Sequence, residues 1–593
     1  MKGKLFLERA VNSAIRVILT GIIFLLFLHS IFSTSFLGEI MREDGTMQTR
    51  TLNIPDQPLV HLAVFIVVSV IGLAGCRAVC GRPEKGKGRI LPVLSAVFTA
   101  AGIVWILLTQ LKPGSDPAKV YAVAMEWRSG DFSAFEEGNY LFCYPFQSGI
   151  VLFYYLLSFL FGVEHYIGPQ IVNVLSLAVV YYLLSLMARS FWQEDRKLPA
   201  FVYGALMCWV PIFFYVTYIY GILPGMACSV GMLYLTLRYL ETGRYRYMAG
   251  AALCIGAATV LKMNCLIYLV AAACFLLYDA VILFVSQRTE GEMTSVSYPG
   301  AAGRKWTVSI LFVLLMAVSV WGCGQITTKF VEHLSGYEMP EGEVMISWVV
   351  MGMQEAPRGP GNYNGYNGDV FIRNNYDTEL AKKQSVEDLR KIIRRMAENP
   401  LDEGVTFFAR KTAYQWNDPT FISIDRMRGR KSAIEISEPV RSLIDGRGSV
   451  ALSVLLNYMQ TLLLSGMLLY LILNWQSRNL YELMGAVVFL GGYLFHMVWE
   501  SSASYTIPYF VLMIPYAVKG FGDWFRVLDR MAGKRGIWAK RGRLWFPALG
   551  IAVVMLLLLC FGRTNLFHNT IALNDGEDAI EQFYHQGDAK PYE

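Results

Sequence analysis

Long apolar segments alternate with short polar loops along most of the chain. Windows near the ~20 residues that an α-helix needs to cross a bilayer recur along almost its whole length. They begin near Val17, Val60, Leu91, Val151, Ile167, Phe201, Ile222, Tyr247, Leu266, Thr307, Val450, Leu483, Thr506 and Leu544. This pattern predicts an α-helical polytopic membrane protein.

Composition supports that prediction. Of the 593 residues, 54% are hydrophobic and 17% are charged, whereas soluble domains carry about 25% charged residues. The net charge of +6 is spread over the loops, so it bears on membrane topology and does not indicate a nucleic-acid partner. The first apolar stretch, residues 17–37, is long enough to span and lacks a small-residue cleavage pattern, so we interpret it as a retained anchor.

Basic loops predict the sidedness of the chain. Residues 77–89 hold five basic residues against one acidic residue, and residues 519–543 hold eight against two, which is typical of cytoplasmic loops. The loop carrying Asp116 is then extracytoplasmic, as is the long polar insert 324–448. Seven apolar windows separate the two, so one of them should not cross fully. The short segment Tyr144–Gly162 is the best candidate, which leaves about 13 transmembrane helices in a multi-pass cell-membrane protein.

The predicted organisation has four parts. Residues 1–323 form a transmembrane module with a catalytic outer loop at about 112–147, and 324–448 form a small, mainly α-helical extracytoplasmic insert domain. Residues 449–562 form C-terminal transmembrane helices, and 563–593 form an extracytoplasmic tail.

Within the insert, one helix and one loop stand out. Ser385 is a good N-cap with Asp388 in the capping-box position, and we expect one apolar face built from Leu389, Ile392, Ile393 and Met396. The upstream stretch 356–371 is rich in Gly, Pro, Asn and Tyr, which is loop chemistry. Its rings and amides suit sugar binding, although a plain surface loop explains the composition equally well.

No signature of a soluble enzyme occurs, whether a nucleotide-binding loop, a metal helix or a nucleophile elbow. The ten cysteines lie mostly within apolar runs and show no metal-ligand spacing. We therefore assign no cofactor and no metal ligands, and a divalent metal stays open.

Asp116 follows a helix end and a Pro-Gly turn. A carboxylate there suits a general base that takes a proton from an attacking hydroxyl. The alternative is an N-cap, because Pro117 would then occupy the first helical position.

Several other polar residues lie at the ends of predicted spans. Lys112, Lys119 and Arg128 are placed to hold a lipid-linked phosphate, or simply to reach lipid headgroups. Lys262 lies between two apolar runs, where an ionisable residue is a functional candidate unless it occupies an outer turn. Glu500, with Tyr505, lies in another such turn, for which simple solvation is the alternative.

The order of these elements resembles a known superfamily. The outer acid is followed by "W.SGDF", then "YPF…G…FYYLLSFLFG", and later by "ATVLKMN" and "WESSASYTIPYF". The arrangement, from about Leu91 to Tyr516, is similar to the GT-C integral-membrane glycosyltransferases. Within them it resembles the bacterial branch of protein-O-mannosyltransferase-like and aminoarabinose-transferase-like enzymes.

The resemblance implies inverting transfer of a hexose or pentose from a polyprenyl-phosphate donor to an extracytoplasmic glycan, lipid or protein. Asp116 takes the acidic position as the general base. Substrate-binding candidates follow from the same alignment of motifs and from nearby acids: Tyr121, Glu136, Glu137, Tyr144, Glu500 and Tyr505. Lys112, Lys119, Arg128 and Lys262 are the implied contacts to the donor phosphate or lipid.

Three departures matter. Many relatives have two adjacent acids at the catalytic position, whereas here Pro117 follows Asp116, so a second carboxylate would have to come from Glu126, Asp131, Glu136 or Glu137. "YPF" replaces a motif that often contains Lys, and the outer domain is an insertion instead of a C-terminal unit. Two alternatives stay open: a flippase or transporter of lipid-linked sugars, and a non-enzymatic scaffold that binds wall polymer.

Overall fold

The structure is a computed structural model that describes residues 2–41, 47–80, 89–163, 165–288 and 305–533. The predicted span near Leu544, the end of the predicted C-terminal helical region and the predicted tail 563–593 lie outside these ranges. In the described residues the chain is mainly α-helical, with one two-stranded sheet.

The helices, in chain order, are α1 (Lys2–Phe32), α2 (Pro58–Cys80), α3 (Ile90–Thr109), α4 (Ser115–Arg128), α5 (Tyr140–Cys143), α6 (Ser148–Phe161), α7 (Ile167–Phe191), α8 (Leu198–Cys208), α9 (Val210–Phe214), α10 (Ile222–Thr242), α11 (Arg246–Leu261), α12 (Leu266–Arg288), α13 (Trp306–Ser335), α14 (Ile346–Gly352), α15 (Tyr366–Arg373), α16 (Thr378–Glu398), α17 (Thr406–Trp416), α18 (Glu438–Ile444), α19 (Arg447–Leu473), α20 (Met484–Val498) and α21 (Ile507–Gly533). The strands are β1 (Ser33–Met41) and β2 (Met47–Pro55).

Eight helices in the described ranges are long and apolar enough to cross a membrane, or nine if the bent pair α8 and α9 forms one span. They lie on α1, α2, α3, α7, α12, α13, α19 and α20. The chain is therefore a multi-pass membrane protein, but this count falls short of the predicted 13. One reason is length, since α11 has only 16 residues, and another is that the predicted span near Leu544 lies outside the described ranges.

The shortness of α6 matches the segment that we expected not to cross. At 1.5 Å per residue, its 14 residues reach about 21 Å, less than the ~30 Å hydrocarbon core. The helix ends at Gly162, whose φ of 91° is left-handed. The α8–α9 pair is bent by 61°, so a second apolar segment also departs from a straight crossing.

A buried ion pair fixes the N-terminal helix to the C-terminal half. The Arg16 side chain on α1 is 0% exposed, and its Nη2 lies 2.8 Å from Glu482 Oε1, just before α20. Arg16 Nε also donates to Asn12 Oδ1 at 3.0 Å. Because both charges are removed from water, each depends on the other to remain buried.

The segment after α1 departs from the predicted anchor. The helix ends at Phe32, and the polar stretch that follows forms β1, which pairs antiparallel with β2 from Ser33 opposite Pro55 onwards. Phe36 and Ile54 are buried on one face of this hairpin. Ser35 N–H donates to Asn417 O at 3.1 Å, so the hairpin is held against the insert.

The predicted insert boundary and helix start both shift. Helix α13 runs without interruption to Ser335, so the boundary proposed at residue 324 lies inside a helix. Helix α16 begins at Thr378, where the Asp377 side chain accepts a hydrogen bond from Leu380 N–H. Ser385, predicted as the N-cap, is instead buried within this helix and donates to Ala381 O.

The predicted apolar face of α16 is correct except at one position. Ile392 and Met396 are buried in a cluster, with Leu389 partly buried against it. Ile393, however, is 52% exposed, because it lies 100° around the helix from Ile392.

Candidate functional site

The main cavity, of about 1670 Å³, lies between the insert and the ends of several membrane helices. Its walls come from the hairpin, the start of α4, the α11–α12 turn, the loop after α17 and the α20–α21 turn. Eight basic and six acidic residues line it.

Asp116 lines the cavity and lies in the first turn of α4. It is not the N-cap, because Gly114 occupies that position. Ser115 has a φ of 55°, a left-handed conformation that is uncommon for a residue other than glycine. A carboxylate in the first turn also interacts favourably with the helix dipole, so the local structure accommodates its negative charge.

Lys262 occupies the turn between α11 and α12 and lines the same cavity. Its Nζ lies 3.7 Å from the centroid of the Tyr220 ring, which is within the range of a cation–π contact. Gly221, at a φ of 73°, permits this packing because a Cβ there would lie 2.7 Å from Leu261 O.

Glu500 follows α20 and is the second carboxylate that meets the Asp116 side of the cavity. Tyr505 Oη donates a hydrogen bond to Glu500 Oε2 at 3.2 Å. The insert holds this turn, because Ser501 N–H donates to Gly361 O at 2.7 Å. Lys411 Nζ in α17 also donates to Trp499 O at 2.6 Å.

The loop after α17 brings two arginines to the cavity. Asp418 is buried and its Oδ1 accepts from Thr420 N–H at 2.8 Å, which orders the start of the loop. Ile422 has a φ of 59°, which is strained for a β-branched residue. The loop then directs Arg426 and Arg430 towards the cavity.

Arg430 joins this loop to the segment that precedes Asp116. Its Nε donates to Lys112 O at 2.8 Å and its Nη2 to Thr217 O at 3.2 Å. The backbones also pair, since Lys112 N–H donates to Lys431 O at 2.8 Å. The catalytic-loop candidate is therefore positioned by the insert.

Burial and neighbouring charges tune the groups in the cavity. Burial raises the pKa of Glu500 to about 7, and the Asp116 charge acts in the same direction. Burial lowers the pKa of Lys262 to about 8, while Asp116 and Glu500 oppose that shift. The charges of these three groups interact, so they belong to one electrostatic unit.

The remaining predicted residues divide into two groups. Tyr144 and Tyr505 line the cavity, but the other six do not: Lys112, Lys119, Tyr121, Arg128, Glu136 and Glu137. Tyr121 is buried against Tyr154, and Arg128 lies over the Phe159 ring at 3.8 Å.

Helix geometry explains why residues so near Asp116 lie elsewhere. Tyr121 is five positions along α4, which is about 140° around the helix. Glu136 is exposed and accepts a long hydrogen bond of 3.4 Å from Tyr337 Oη. None of the four acids proposed as a second carboxylate lines the cavity, whereas Glu500 does.

An aromatic and amide-rich wall completes the site. Trp348 and Trp499 are nearly parallel, with an interplanar angle of 7° and centroids 6.4 Å apart. Asn362 and Tyr363, from the predicted Gly- and Asn-rich loop, also line the cavity. Flat rings beside amides suit the apolar faces and hydroxyls of a sugar.

Four further residues line the cavity but were not predicted from the sequence: Arg426, Arg430, Tyr220 and Trp348. The run "DRMRGRK" at 425–431 is a visible basic cluster, but nothing in its neighbourhood connects it with Asp116. For the residues that the structure describes, no group of three or more His, Cys, Asp or Glu side chains is arranged to hold a metal ion.

Comparisons with known proteins leave the family open. No protein-family model matches the sequence, and no curated protein matches it. Among solved structures, the chain is similar to the archaeal oligosaccharyltransferase AglB from Archaeoglobus fulgidus, in complex with an inhibitory peptide and a dolichol-phosphate. The identity is 9%, the TM-score is 0.35, and the match covers 84% of this chain and 60% of that chain. A likeness this distant carries no argument about activity.

Proposed function

We propose that this chain is a membrane glycosyltransferase that moves a sugar from a polyprenyl-phosphate donor to an extracytoplasmic acceptor with inversion. The observation that carries the proposal is one cavity, at the ends of membrane helices, in which Asp116 and Glu500 face Lys262 and Arg426. Two carboxylates beside fixed cations are the groups that this chemistry needs.

In the proposed reaction an acceptor hydroxyl oxygen attacks the anomeric carbon of the donor sugar. The bond between that carbon and the phosphate oxygen breaks, and the polyprenyl phosphate departs with the electron pair. Asp116 takes the hydroxyl proton. Lys262 and Arg426 neutralise the charge that develops on the leaving phosphate, and Glu500 stabilises positive charge on the sugar ring.

Transfer in proteoliposomes tests the proposal. Purified protein is supplied with labelled polyprenyl-phosphate hexoses and pentoses and with mixed hydroxyl acceptors. We expect the label to leave the lipid and appear in a water-soluble product, with release of polyprenyl phosphate. Label that stays on the lipid but changes leaflet would support a transporter instead, and no change in the label would contradict both activities.

The pH dependence of transfer should be bell-shaped. Glu500 is ionised above its pKa of about 7, so kcat/KM should rise as the pH passes that value. Lys262 loses its proton above about 8, so the phosphate contact weakens and kcat/KM should fall. Because the charges of Glu500 and Lys262 interact, the two apparent pKa values of the pH profile belong to the pair of groups together.

Two conservative variants assign these limbs. Glu500→Gln should remove the acid limb, because the amide does not titrate. Lys262→Arg should move the alkaline limb beyond the measurable range, since a guanidinium stays protonated. An acid limb that persists unchanged in Glu500→Gln would assign it to another group.

A further inference from the structure

The main cavity has two walls of different chemistry. The apolar wall is formed where membrane helices α12 and α20 reach the cavity, by Met263, Leu266, Ile267, Phe495 and Trp499. The basic wall is formed by Arg358, Arg428 and Lys431 from the insert, Arg441 from α18 and Arg447 at the start of α19. The hairpin residues Leu37, Gly38, Thr49 and Thr51 also line the cavity.

The basic wall carries more basic than acidic residues. Arg428 pairs with Asp425 at 3.2 Å, and Asp445 lies close enough to Arg428 and Arg441 for their charges to interact. The side chains of Arg358 and Lys431 form no hydrogen bond or ion pair with any residue in the described ranges. Five basic residues thus face three acids on this wall, the third being Glu438.

Arg426 lies where the basic wall meets the catalytic groups. Its Nε is buried and has no hydrogen-bond partner among the described residues, although its guanidinium lies 5.2 Å from the Tyr218 ring centroid. A buried donor without a partner is costly. Arg426 is also a lining residue of the cavity, so its positive charge favours an anionic group that enters there.

In the proposed reaction, the donor and the acceptor would approach Asp116 along different walls. A polyprenyl chain must remain in the bilayer, so its phosphate reaches Asp116 along the wall built from membrane-helix ends. The acceptor then approaches along the wall built from the insert. A fixed excess of positive charge on that path raises the local concentration of anions and disfavours cations.

We infer that the acceptor is a hydroxyl-bearing polyanion, a chain of sugars or polyols with phosphate or carboxylate groups, which lies along the basic wall with a hydroxyl at Asp116. This inference rests on the proposed function and names its acceptor class. Guanidinium groups bind phosphate and carboxylate groups alike through charge-assisted hydrogen bonds. The test therefore includes acceptors that carry each of these two anions.

The test compares two triple charge reversals in the full-length chain. One carries Arg358→Glu, Lys431→Glu and Arg441→Glu on the basic wall. The control carries Lys382→Glu, Lys383→Glu and Arg390→Glu on α16, which change the net charge equally and lie outside the cavity. Both are measured for binding of poly(glycerol phosphate), oligogalacturonate, polyglutamate and neutral dextran oligomers, and then for sugar transfer.

We expect the wild type and the control to bind at least one of the first two polyanions roughly tenfold more tightly than dextran, with weakening as salt is added. The basic-wall variant should lose that preference, and its KM for the anionic acceptor should rise while donor consumption with water persists. Stronger binding to phosphate or to carboxylate identifies the anion.

Two results would overturn the inference. Equal binding of dextran and polyanions by the wild type would remove the charge preference, and preferential binding of polyglutamate would indicate a protein acceptor. Either can occur while sugar transfer is intact, so the proposed function would stand. Absence of donor consumption under every condition would instead contradict the proposed function.

Discussion

Asp116→Asn should lower sugar transfer by about 10²–10⁴-fold, the usual contribution of a general base. Asparagine keeps the shape of the side chain but cannot accept the proton of the acceptor hydroxyl. The lost interaction with the α4 dipole costs about 0.3–1 kcal/mol, too little to unfold the chain. The measurement is initial-rate transfer of labelled sugar, with the thermal midpoint recorded in parallel.

Glu137→Gln is the matched control. Glu137 is an exposed acid close to Asp116 in sequence, and it does not line the cavity. The Glu137→Gln variant should transfer sugar at the wild-type rate. Full transfer by Asp116→Asn would exclude Asp116 as the base and would direct attention to Glu500, a cavity carboxylate whose charge interacts with that of Asp116.

Arg16→Met should destabilise the chain by about 3–5 kcal/mol, because it leaves the Glu482 carboxylate buried without its partner. Arg16 is 0% exposed and Glu482 is 5% exposed at the side chain, so water does not compensate either charge. The double variant Arg16→Met, Glu482→Gln should recover much of the loss, since no uncompensated charge remains. Denaturant unfolding in mild detergent measures these differences.

A surface ion pair provides the comparison. Arg373 and Asp369 are 78% and 59% exposed, and pairs of this kind contribute about 0–1 kcal/mol. Arg373→Met should therefore leave stability nearly unchanged. An Arg16→Met variant that unfolds no more easily than Arg373→Met would show that the buried pair is not needed for stability.

The fold class and part of the site follow from the sequence because they depend on local patterns. Windows of apolar residues predict the long helices that consist mostly of apolar residues. Asp116, Lys262 and Glu500 are ionisable residues at the ends of such windows, and the structure gathers all three around one cavity. Their proposed roles in catalysis stay predictions.

The rest depends on distant parts of the chain. Arg426 and Arg430 reach the cavity only because the loop after α17 returns to the segment before α4. The start of α16 was misplaced because Ser385 and Asp377 both have good capping side chains, and only tertiary packing selects between them. The predicted apolar window, residues 17–37, runs from α1 into β1, so the window did not separate the helix from the hairpin.

The hydrogen bond from Arg430 to the carbonyl of Lys112 has a consequence for synthesis of the chain, because the site cannot form before Arg430 has been translated. These residues are 318 positions apart, and the segment they hold carries Asp116. A nascent chain that has inserted its first helices therefore has the acid but not the groups that fix its position. The cavity is complete only once the ribosome has also translated Glu500 and Tyr505, so the proposed activity would begin only after synthesis has passed residue 505.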